Sequence, residues 1–326
     1  MKINVGVVGA GSMGQNHARV YSEVANLVGI ADIDERAGRA VAKRLNTSYY
    51  SDYRELLSKD VEAVSIATPT KSHYAMAKEF MGAGKHVMVE KPMCSGLEES
   101  RELIDLARSA GVVLAVGMIE RFNPVVEFAK KAIETGEYGD VITTAARSVS
   151  SFPARIKDVG VIMDLGIHDI DIMRYLLGSE AKSVFCLGGM QRHEYEDFAN
   201  ILLSFENEVS GFIEVNWLTP MKVRKLALTC TKNFAELDYA AQTIEISSAT
   251  LTGFDPFNLY QTHFEFDVRQ VSLKKQEPLK RELEDFLGAI AEKRRPLVTG
   301  EEATRSLEVA LAAVESQKSG KRMDLG

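Results

Sequence analysis

Lys91, Asp164 and His168 carry side chains that can move a proton to or from a hydroxyl group, and their places in the sequence suit that chemistry. Lys91 follows a short apolar strand in the run HVMVEKP, and its amine can hydrogen-bond a hydroxyl and stabilise a developing alkoxide. Asp164 and His168 stand four residues apart in a predicted helix, so they share one face. A place near the helix start favours the neutral imidazole, which can accept a proton. The alternatives are an exposed loop lysine and a surface His–Asp pair.

The start of the chain predicts a site for a dinucleotide. The β-branched run Ile3–Val8 is typical of a strand buried in a parallel sheet, and it leads into a turn with the spacing GxGxxG. The first glycine allows a tight turn, the second lets backbone N–H groups approach a pyrophosphate, and the third lets the next helix sit close. The cofactor contacts predicted in this turn are Gly9, Gly11, Ser12, Met13 and Gly14.

The carboxylate of Asp32 favours NAD as the cofactor. Asp32 closes a second apolar strand, Leu27–Ala31, where the fingerprint places an acid on the ribose hydroxyls. An anion there repels the extra phosphate of NADP, which makes NADP the less favoured cofactor. Arg36 is the opposing signal, since a nearby arginine can accept that phosphate; its alternative is a solvated residue of the next helix.

Other chemistry-bearing residues fall at the ends of predicted strands. Ligands of doubly wound sheets bind beyond the carboxyl ends of the strands, so residues there are expected to line one crevice. The remaining predicted cofactor contacts are Thr68, Pro69, His73, Glu90 and Lys91. His86 and His193 are interpreted as structural, and Asp169 and Asp171 as residues that cap or solvate their helix.

The order of elements predicts two domains. Strands alternate with helices up to about residue 119, which indicates an α/β Rossmann domain with a doubly wound parallel sheet over residues 1–119. Residues 120–326 show strands joined by short turns, which favours an α+β domain with an open-faced, mainly antiparallel sheet. A helix over 164–177 interrupts these strands. The final stretch, 278–319, is predicted helical, with the possibility that it packs back on the first domain.

Composition excludes several classes of function. The 326 residues carry a net charge of −7, which disfavours a nucleic-acid surface. No apolar run is long enough to span a membrane, and no cleavable leader is recognised, so a cytoplasmic protein is expected. The three cysteines are widely spaced, which suits a reducing compartment and gives no metal pattern. No metal site is predicted.

The motifs GAGSMG, ATPTKSHY, GKHVMVEKPM, VGMIERFNP and GVIMDLGIHDID occur in this order. With them the chain resembles the glucose-fructose oxidoreductase / inositol dehydrogenase / rhizopine catabolism superfamily of sugar dehydrogenases over almost its whole length. The resemblance implies a tightly held NAD or NADP and catalysis by Lys91, Asp164 and His168. It also implies a homodimer or homotetramer formed through the C-terminal sheet.

The segment Ile119–Pro124, IERFNP, is similar to that of UDP-N-acetylglucosamine 3-dehydrogenases, which make a 3-keto nucleotide sugar. This narrower resemblance implies that the small-molecule substrate is a nucleotide sugar oxidised at C3. Its predicted contacts are Arg121, Asn123, Arg155 and Lys157, with an interdomain salt bridge as the alternative for Arg121. The other functions considered are oxidation of a free sugar or inositol, NAD-dependent glycoside cleavage, and a non-enzymatic NAD-sensing regulator.

Overall fold

The computed structural model of the chain describes residues 2–153, 159–253, 258 and 263–326. Among these residues, no helix is both long and apolar enough to cross a bilayer. The chain forms two compact units, Met1–Phe122 with Glu277–Glu308 and Asn123–Gln276 with Val309–Gly326. The domain boundaries drawn from the sequence, 1–119 and 120–326, stay a prediction.

The first unit is built on a six-stranded sheet. Its strands are β1 (Asn4–Val8), β2 (Asn26–Ala31), β3 (Ser48–Tyr50), β4 (Ala63–Ile66), β5 (His86–Glu90) and β6 (Leu114–Gly117). They lie in the order β3-β2-β1-β4-β5-β6, and every pairing is parallel. The chain therefore starts in the middle of the sheet and winds outward in both directions, which confirms the predicted doubly wound fold.

The α-helices alternate with these strands and then continue through the second half of the chain. They are α1 (Ser12–Val24), α2 (Glu35–Arg44), α3 (Thr70–Gly82), α4 (Leu97–Ala110), α5 (Pro124–Glu134), α6 (Ile167–Leu177), α7 (Pro278–Glu292) and α8 (Gly300–Ser319).

Helix α7 belongs to the core of the first unit. Its apolar stripe, with Leu283 and Phe286 fully buried, joins the cluster formed by β1 and α1 that includes Val20 and Tyr21. Val116 of β6 also donates a backbone hydrogen bond to the carbonyl of Val298 at 3.3 Å. The helical prediction for the start of the stretch 278–319 is confirmed, and this helix contributes to the core of the first unit.

The second unit is built on a nine-stranded sheet. Its strands are β7 (Val141–Ser151), β8 (Ala181–Gly189), β9 (Phe198–Phe205), β10 (Ser210–Asn216), β11 (Leu218–Cys230), β12 (Phe234–Asp238), β13 (Thr243–Gly253), β14 (His263–Ser272) and β15 (Met323–Asp324). They lie in the order β14-β13-β12-β11-β7-β10-β9-β8-β15. Only β7 and β10 pair in parallel among these strands, so the sheet is mainly antiparallel, as predicted.

One face of this sheet is covered by helix α6. Buried and exposed residues alternate along β9, as a half-covered sheet requires. On β10, a Cβ at Gly211 would lie 3.0 Å from the sulfur of Met173 in α6, so the helix sits against this strand. Leu202 and Phe212 point the other way and are 51% and 40% exposed. The sheet is therefore open on its second face.

The helical regions differ from the sequence expectation in three places. The helix predicted from residue 164 starts within a π-helical turn, Ile162–Gly166, and the regular helix α6 begins only at Ile167. In this turn the N–H of Ile167 donates a hydrogen bond to the carbonyl of Ile162. The stretch predicted helical over 278–319 contains a break, because Lys293 adopts a left-handed conformation after α7 and Pro296 follows. Helix α5 was missed, although the Asn–Pro pair at its start is a common N-terminal signal.

Candidate active site

The glycine-rich turn after β1 is fixed by close backbone contacts. Gly9 has φ of +103°, and a Cβ there would lie 2.4 Å from the carbonyl oxygen of Ala67. A Cβ at Gly14 would lie 1.9 Å from the carbonyl oxygen of Gly9, whereas one at Gly11 would meet nothing within 4 Å. Gly9 and Gly14 therefore hold strand and helix together, and Gly11 keeps space open in front of the turn.

Helix α1 begins at this turn with its first N–H groups available to an anion. Its N-cap is Gly11, no side chain caps it, and its first turn holds no acidic residue. Uncapped N–H groups and the helix dipole attract phosphate. Ser12 is exposed beside them, while Met13 packs on the apolar core and so contacts protein through its side chain.

A cavity of about 750 Å³ opens beside the turn. Five predicted cofactor contacts line it: Gly9, Gly11, Asp32, Thr68 and Pro69. The sequence reading missed several of its other walls, among them Ile33, Tyr53, Arg54, Lys71 and Met76. Ile33 is 95% exposed, and the sequence alone does not show that this apolar side chain is open to solvent beside a carboxylate.

Asp32 lies at the carboxyl end of β2 with its carboxylate fixed by two backbone donors. Its Oδ1 accepts from the N–H of Asp34 at 2.7 Å, and its Oδ2 accepts from the N–H of Ala10 at 2.5 Å. A fixed anion in this wall, with the open space at Gly11 and the uncapped helix, fits NAD. Arg36 is exposed on α2 and does not line the cavity.

The backbone N–H of Lys91 takes part in a buried chain of hydrogen bonds. The Glu90 carboxylate is bonded through Oε1 to Nε2 of His17 at 2.8 Å, and its Oε2 accepts from the backbone N–H of Lys91 at 3.2 Å. The other ring nitrogen of His17 lies 2.7 Å from the hydroxyl of Ser65. His17 and Ser65 are fully buried. This chain joins helix α1 to the end of β5.

His17 is a residue that sequence reasoning missed. It shares the buried face of α1 with Gly14, Ala18 and Tyr21, and this helical spacing could have marked it as a polar group inside the core. Gly117 leaves room for its partner, since a Cβ there would lie 3.1 Å from the carboxylate of Glu90. Glu90 has these contacts within the protein, and its predicted contact with the cofactor stays a prediction.

His73 connects the loop after β4 to the loop after β5. Its Nε2 lies 2.8 Å from the carbonyl of Thr68, and its Nδ1 lies 3.0 Å from the carbonyl of Pro92. The side chain is 1% exposed, and the Lys91–Pro92 peptide bond is cis. His73 thus shapes the loops that carry the predicted contacts.

The predicted substrate contacts have local partners or fall outside the described residues. Arg121 is buried and bonds to Glu302 at 2.9 Å. Asn123 caps α5 by accepting from the N–H of Val125 and donates to the carbonyl of Tyr239. These contacts give both residues a structural role, and their substrate contacts stay predictions. The other two predicted contacts, Arg155 and Lys157, lie outside the described residues.

In the second unit, Asp164 and His168 lie on either side of the junction between the π turn and α6. Asp164 is buried at 8% exposure and His168 is half-buried. π-helical turns of this kind occur often at functional sites. The alternative of a surface His–Asp pair does not hold for Asp164, since its carboxylate is inside the protein.

The expectation that Asp169 and Asp171 cap or solvate the helix is wrong. Each is 1% exposed. Asp169 accepts a hydrogen bond from Ser148 at 3.0 Å, and Asp171 lies 4.0 Å from the guanidinium of Arg174. Both carboxylates face inward because α6 is covered by its own unit almost all round. Periodicity alone did not reveal this.

Glu196 fixes the entry to the π turn. Its Oε1 accepts from the N–H of Ile162 at 3.3 Å, and its carbonyl accepts from the N–H of Val161 at 2.8 Å. Burial raises the pKa of the Glu196 carboxyl above its ordinary value of 4.5. A Cβ at Gly160 would lie 2.1 Å from this carboxyl group, so a larger residue there would displace the carboxyl from its position.

The first unit combines a doubly wound sheet with a cavity at the glycine turn and Asp32, and the same chain carries a mainly antiparallel unit. Together these features define a nicotinamide-dependent oxidoreductase. The family model for oxidoreductases with an NAD-binding Rossmann fold, GFO/IDH/MocA, matches residues 3–118, and the model for the C-terminal domain of the same family matches residues 126–236. The chain belongs to the GFO/IDH/MocA oxidoreductase family. It is an NAD-dependent dehydrogenase that acts on a CH–OH group of a small sugar-type substrate.

Two curated relatives cover nearly the whole chain. UDP-N-acetylglucosamine 3-dehydrogenase of Acidithiobacillus ferrooxidans is 31% identical over 95% of this chain and 95% of its own length. The scyllo-inositol 2-dehydrogenase (NAD(+)) of Bacillus subtilis is 30% identical over 99% of this chain and 96% of its own length. A solved structure of the Acidithiobacillus enzyme covers 98% of both chains with a TM-score of 0.88 and 29% identity.

Two glycine substitutions should separate cofactor binding from folding. In Gly14→Ala the new methyl group meets the carbonyl of Gly9, so we expect a loss of about 1–3 kcal/mol of stability in urea unfolding. In Gly11→Ala the methyl group meets no protein atom but narrows the cavity. We expect unchanged stability and an NAD affinity reduced about tenfold, measured by calorimetric titration. Equal losses of stability in the two variants would contradict this account of the turn.

The raised pKa of Glu196 predicts a pH-dependent stability. The folded state holds the carboxyl proton more tightly than the unfolded state, so this group's contribution is complete below pH 4.5 and is lost as the pH rises. Glu196→Gln, which stays neutral, should match the wild type at low pH and become the more stable protein towards neutrality. Urea unfolding across this range measures the difference. The exposed neighbour Glu194, changed to Gln, is the control and should show no such divergence.

Proposed function

We propose that the chain oxidises UDP-N-acetylglucosamine at C3 to the 3-keto nucleotide sugar, with NAD as the cofactor. The observation that carries this proposal is the near full-length similarity to an enzyme of that name. The presence of Lys91, Asp164 and His168 supports it, because oxidation of a secondary hydroxyl requires the removal of one proton.

In the proposed reaction the protein handles the proton. His168 takes the proton of the substrate hydroxyl, and we assign the transfer to Nε2 because Nδ1 is buried. Lys91 donates a hydrogen bond to the same oxygen and stabilises the charge that develops on it. Asp164, within the π turn, orients these groups. NAD, held at the glycine turn and Asp32, supplies the hydride acceptor.

The diphosphate of the substrate needs cationic partners. We assign this role to Arg121, Arg155 and Lys157, and we assign a further substrate contact to Asn123. Arginine is suited to this task because its guanidinium can bind two phosphate oxygens at once. The ion pair with Glu302 already fixes the guanidinium of Arg121 in one orientation.

A second candidate is the oxidation of a free cyclitol. The Bacillus relative, a scyllo-inositol dehydrogenase, is 30% identical over 99% of the chain, which favours this alternative over other free polyols. Absorbance of NADH with UDP-N-acetylglucosamine and with scyllo-inositol decides between the two. Release of free sugar without net NADH would instead indicate glycoside cleavage, and NAD binding without turnover would indicate a sensor.

We also propose that the protein is a homodimer or homotetramer in the cytoplasm. The strand register places the exposed side chains of Leu187, Leu202 and Phe212 on the open face of the second sheet, together with Phe266 and Val268. A second copy covering this face would remove these apolar groups from water. The three cysteines are buried and unpaired, which suits the reducing cytoplasm.

Removing either proton-handling group should abolish turnover without abolishing cofactor binding. For Lys91→Met and His168→Asn we expect kcat to fall about 10²–10⁴-fold with UDP-N-acetylglucosamine. NAD affinity, measured by calorimetric titration, should change little for His168→Asn, and Lys91→Met should still bind NAD although it loses one predicted cofactor contact. Lys85→Met, just before the amino end of β5 and therefore at the opposite end of the strand from Lys91, is the matched control and should keep wild-type kcat. Wild-type turnover in either site variant would refute the assigned roles.

Charge on the open sheet face should dissociate the oligomer. Leu202 and Phe212 face each other across β9 and β10, so Leu202→Glu with Phe212→Glu places like charges at the proposed contact. Sedimentation equilibrium should then show a monomer. Ile142→Glu is the control, since Ile142 is 53% exposed but alternates with the outward-facing side chains of β7. An unchanged mass for the double variant would rule out this face as the contact.

A further inference from the structure

Three strands of the second unit end at the same edge of its sheet. β7 and β10 are parallel neighbours, and β8 runs parallel to β10 because both are antiparallel to β9. Phe152 follows the end of β7, and Trp217 follows the end of β10. His193 and Tyr195 lie in the connection from β8 to β9. The topology therefore gathers four aromatic side chains at one edge.

These four rings, Phe152, His193, Tyr195 and Trp217, form a continuous group that we call the aromatic platform. The ring centroid of Trp217 lies 5.8 Å from Phe152 and 5.6 Å from His193, and both pairs meet edge to face. His193 also lies 5.2 Å from Phe152 and 5.6 Å from Tyr195. Trp217 is 1% exposed, whereas Phe152 and Tyr195 are each 38% exposed. A buried indole thus supports rings that face solvent.

The platform is fixed to the segment that leads into the π turn. The carbonyl of Asp197 accepts from the N–H of Trp217 at 2.9 Å, while the preceding carbonyl, of Glu196, accepts from the N–H of Val161. The buried carboxylate of Asp197 also accepts from the N–H groups of Gln191 and Arg192. Two adjacent residues therefore connect the platform to the helix that carries Asp164 and His168.

We propose that the aromatic platform stacks the pyrimidine base of a nucleotide-linked sugar. This inference rests on the proposed function and names the part of the substrate that distinguishes it from a free cyclitol. A base presents a flat π face, which stacks on aromatic rings whatever its hydrogen-bonding edge. A cyclitol is a saturated ring with no π face, so it cannot form this π-stacked contact with the exposed ring of Phe152.

The position of Trp217 provides a direct test, because it is the only tryptophan in the chain. Uridine monophosphate, added to the full-length protein with NAD present, should change the tryptophan fluorescence in a saturable way. Ribose 5-phosphate, N-acetylglucosamine and scyllo-inositol lack the base and should not. This readout needs no turnover, so it is independent of the reaction.

Matched variants assign the effect to the platform. Phe152→Leu keeps an apolar side chain but removes the ring, so the half-saturating concentration of uridine monophosphate should rise about tenfold. Phe152→Tyr keeps the ring and should stay within about twofold of wild type. Phe128→Leu, in α5 of the same unit, should leave the titration unchanged. With UDP-N-acetylglucosamine as substrate, Phe152→Leu should raise KM by the same factor and leave kcat within about twofold.

The outcomes separate this inference from the proposed function. Turnover of UDP-N-acetylglucosamine with no fluorescence response to uridine monophosphate would overturn the base site and leave the function standing. A response to uridine monophosphate without turnover would support the base site and overturn the function. The base site would also be overturned if the fluorescence responded to N-acetylglucosamine or scyllo-inositol but not to uridine monophosphate. Equal half-saturating concentrations for Phe152→Leu and wild type would overturn it as well.

Discussion

The contact between Gly14 and the carbonyl of Gly9 is the constraint on which the first unit depends. A single methyl group at Gly14 would overlap that carbonyl, so helix α1 can sit on β1 only because the side chain is absent. This close packing brings His17, one turn further along the helix, to the carboxylate of Glu90. Glu90 in turn accepts from the backbone of Lys91. The glycine-rich turn, which is predicted to receive the pyrophosphate, and the lysine proposed for catalysis are thereby connected through buried hydrogen bonds.

In the second unit, charged side chains lie on a helix that is almost entirely buried, and they must be stabilised there. A buried carboxylate is costly unless it is hydrogen-bonded or paired. Asp169 has Ser148, and Arg174 holds Glu180 through two hydrogen bonds at 2.7 and 2.8 Å. Burial raises the pKa of the Glu196 carboxyl, and its Oε1 accepts a hydrogen bond from the N–H of Ile162. These contacts fix the helix that presents Asp164 and His168.

Elements with strong local signals were predictable. The β1 strand, the glycine turn and Asp32 follow a pattern in which each residue has its own steric or electrostatic task. The π turn was not predictable, because its hydrogen bonds run five residues back and no composition rule marks them. The inward direction of Asp171 was missed for a similar reason, since it depends on what covers the helix.

The sequence by itself determined the fold class, the family, the cofactor and the types of groups available for proton transfer. These properties depend on short-range order: glycine spacing, strand periodicity, and an acid at a strand end. Only the tertiary structure decided that His17 bonds to Glu90, that His73 connects two loops, and that four aromatic rings from three strand ends form one platform. Such contacts join residues far apart in the chain, so they exist only once the strands have paired in their final register.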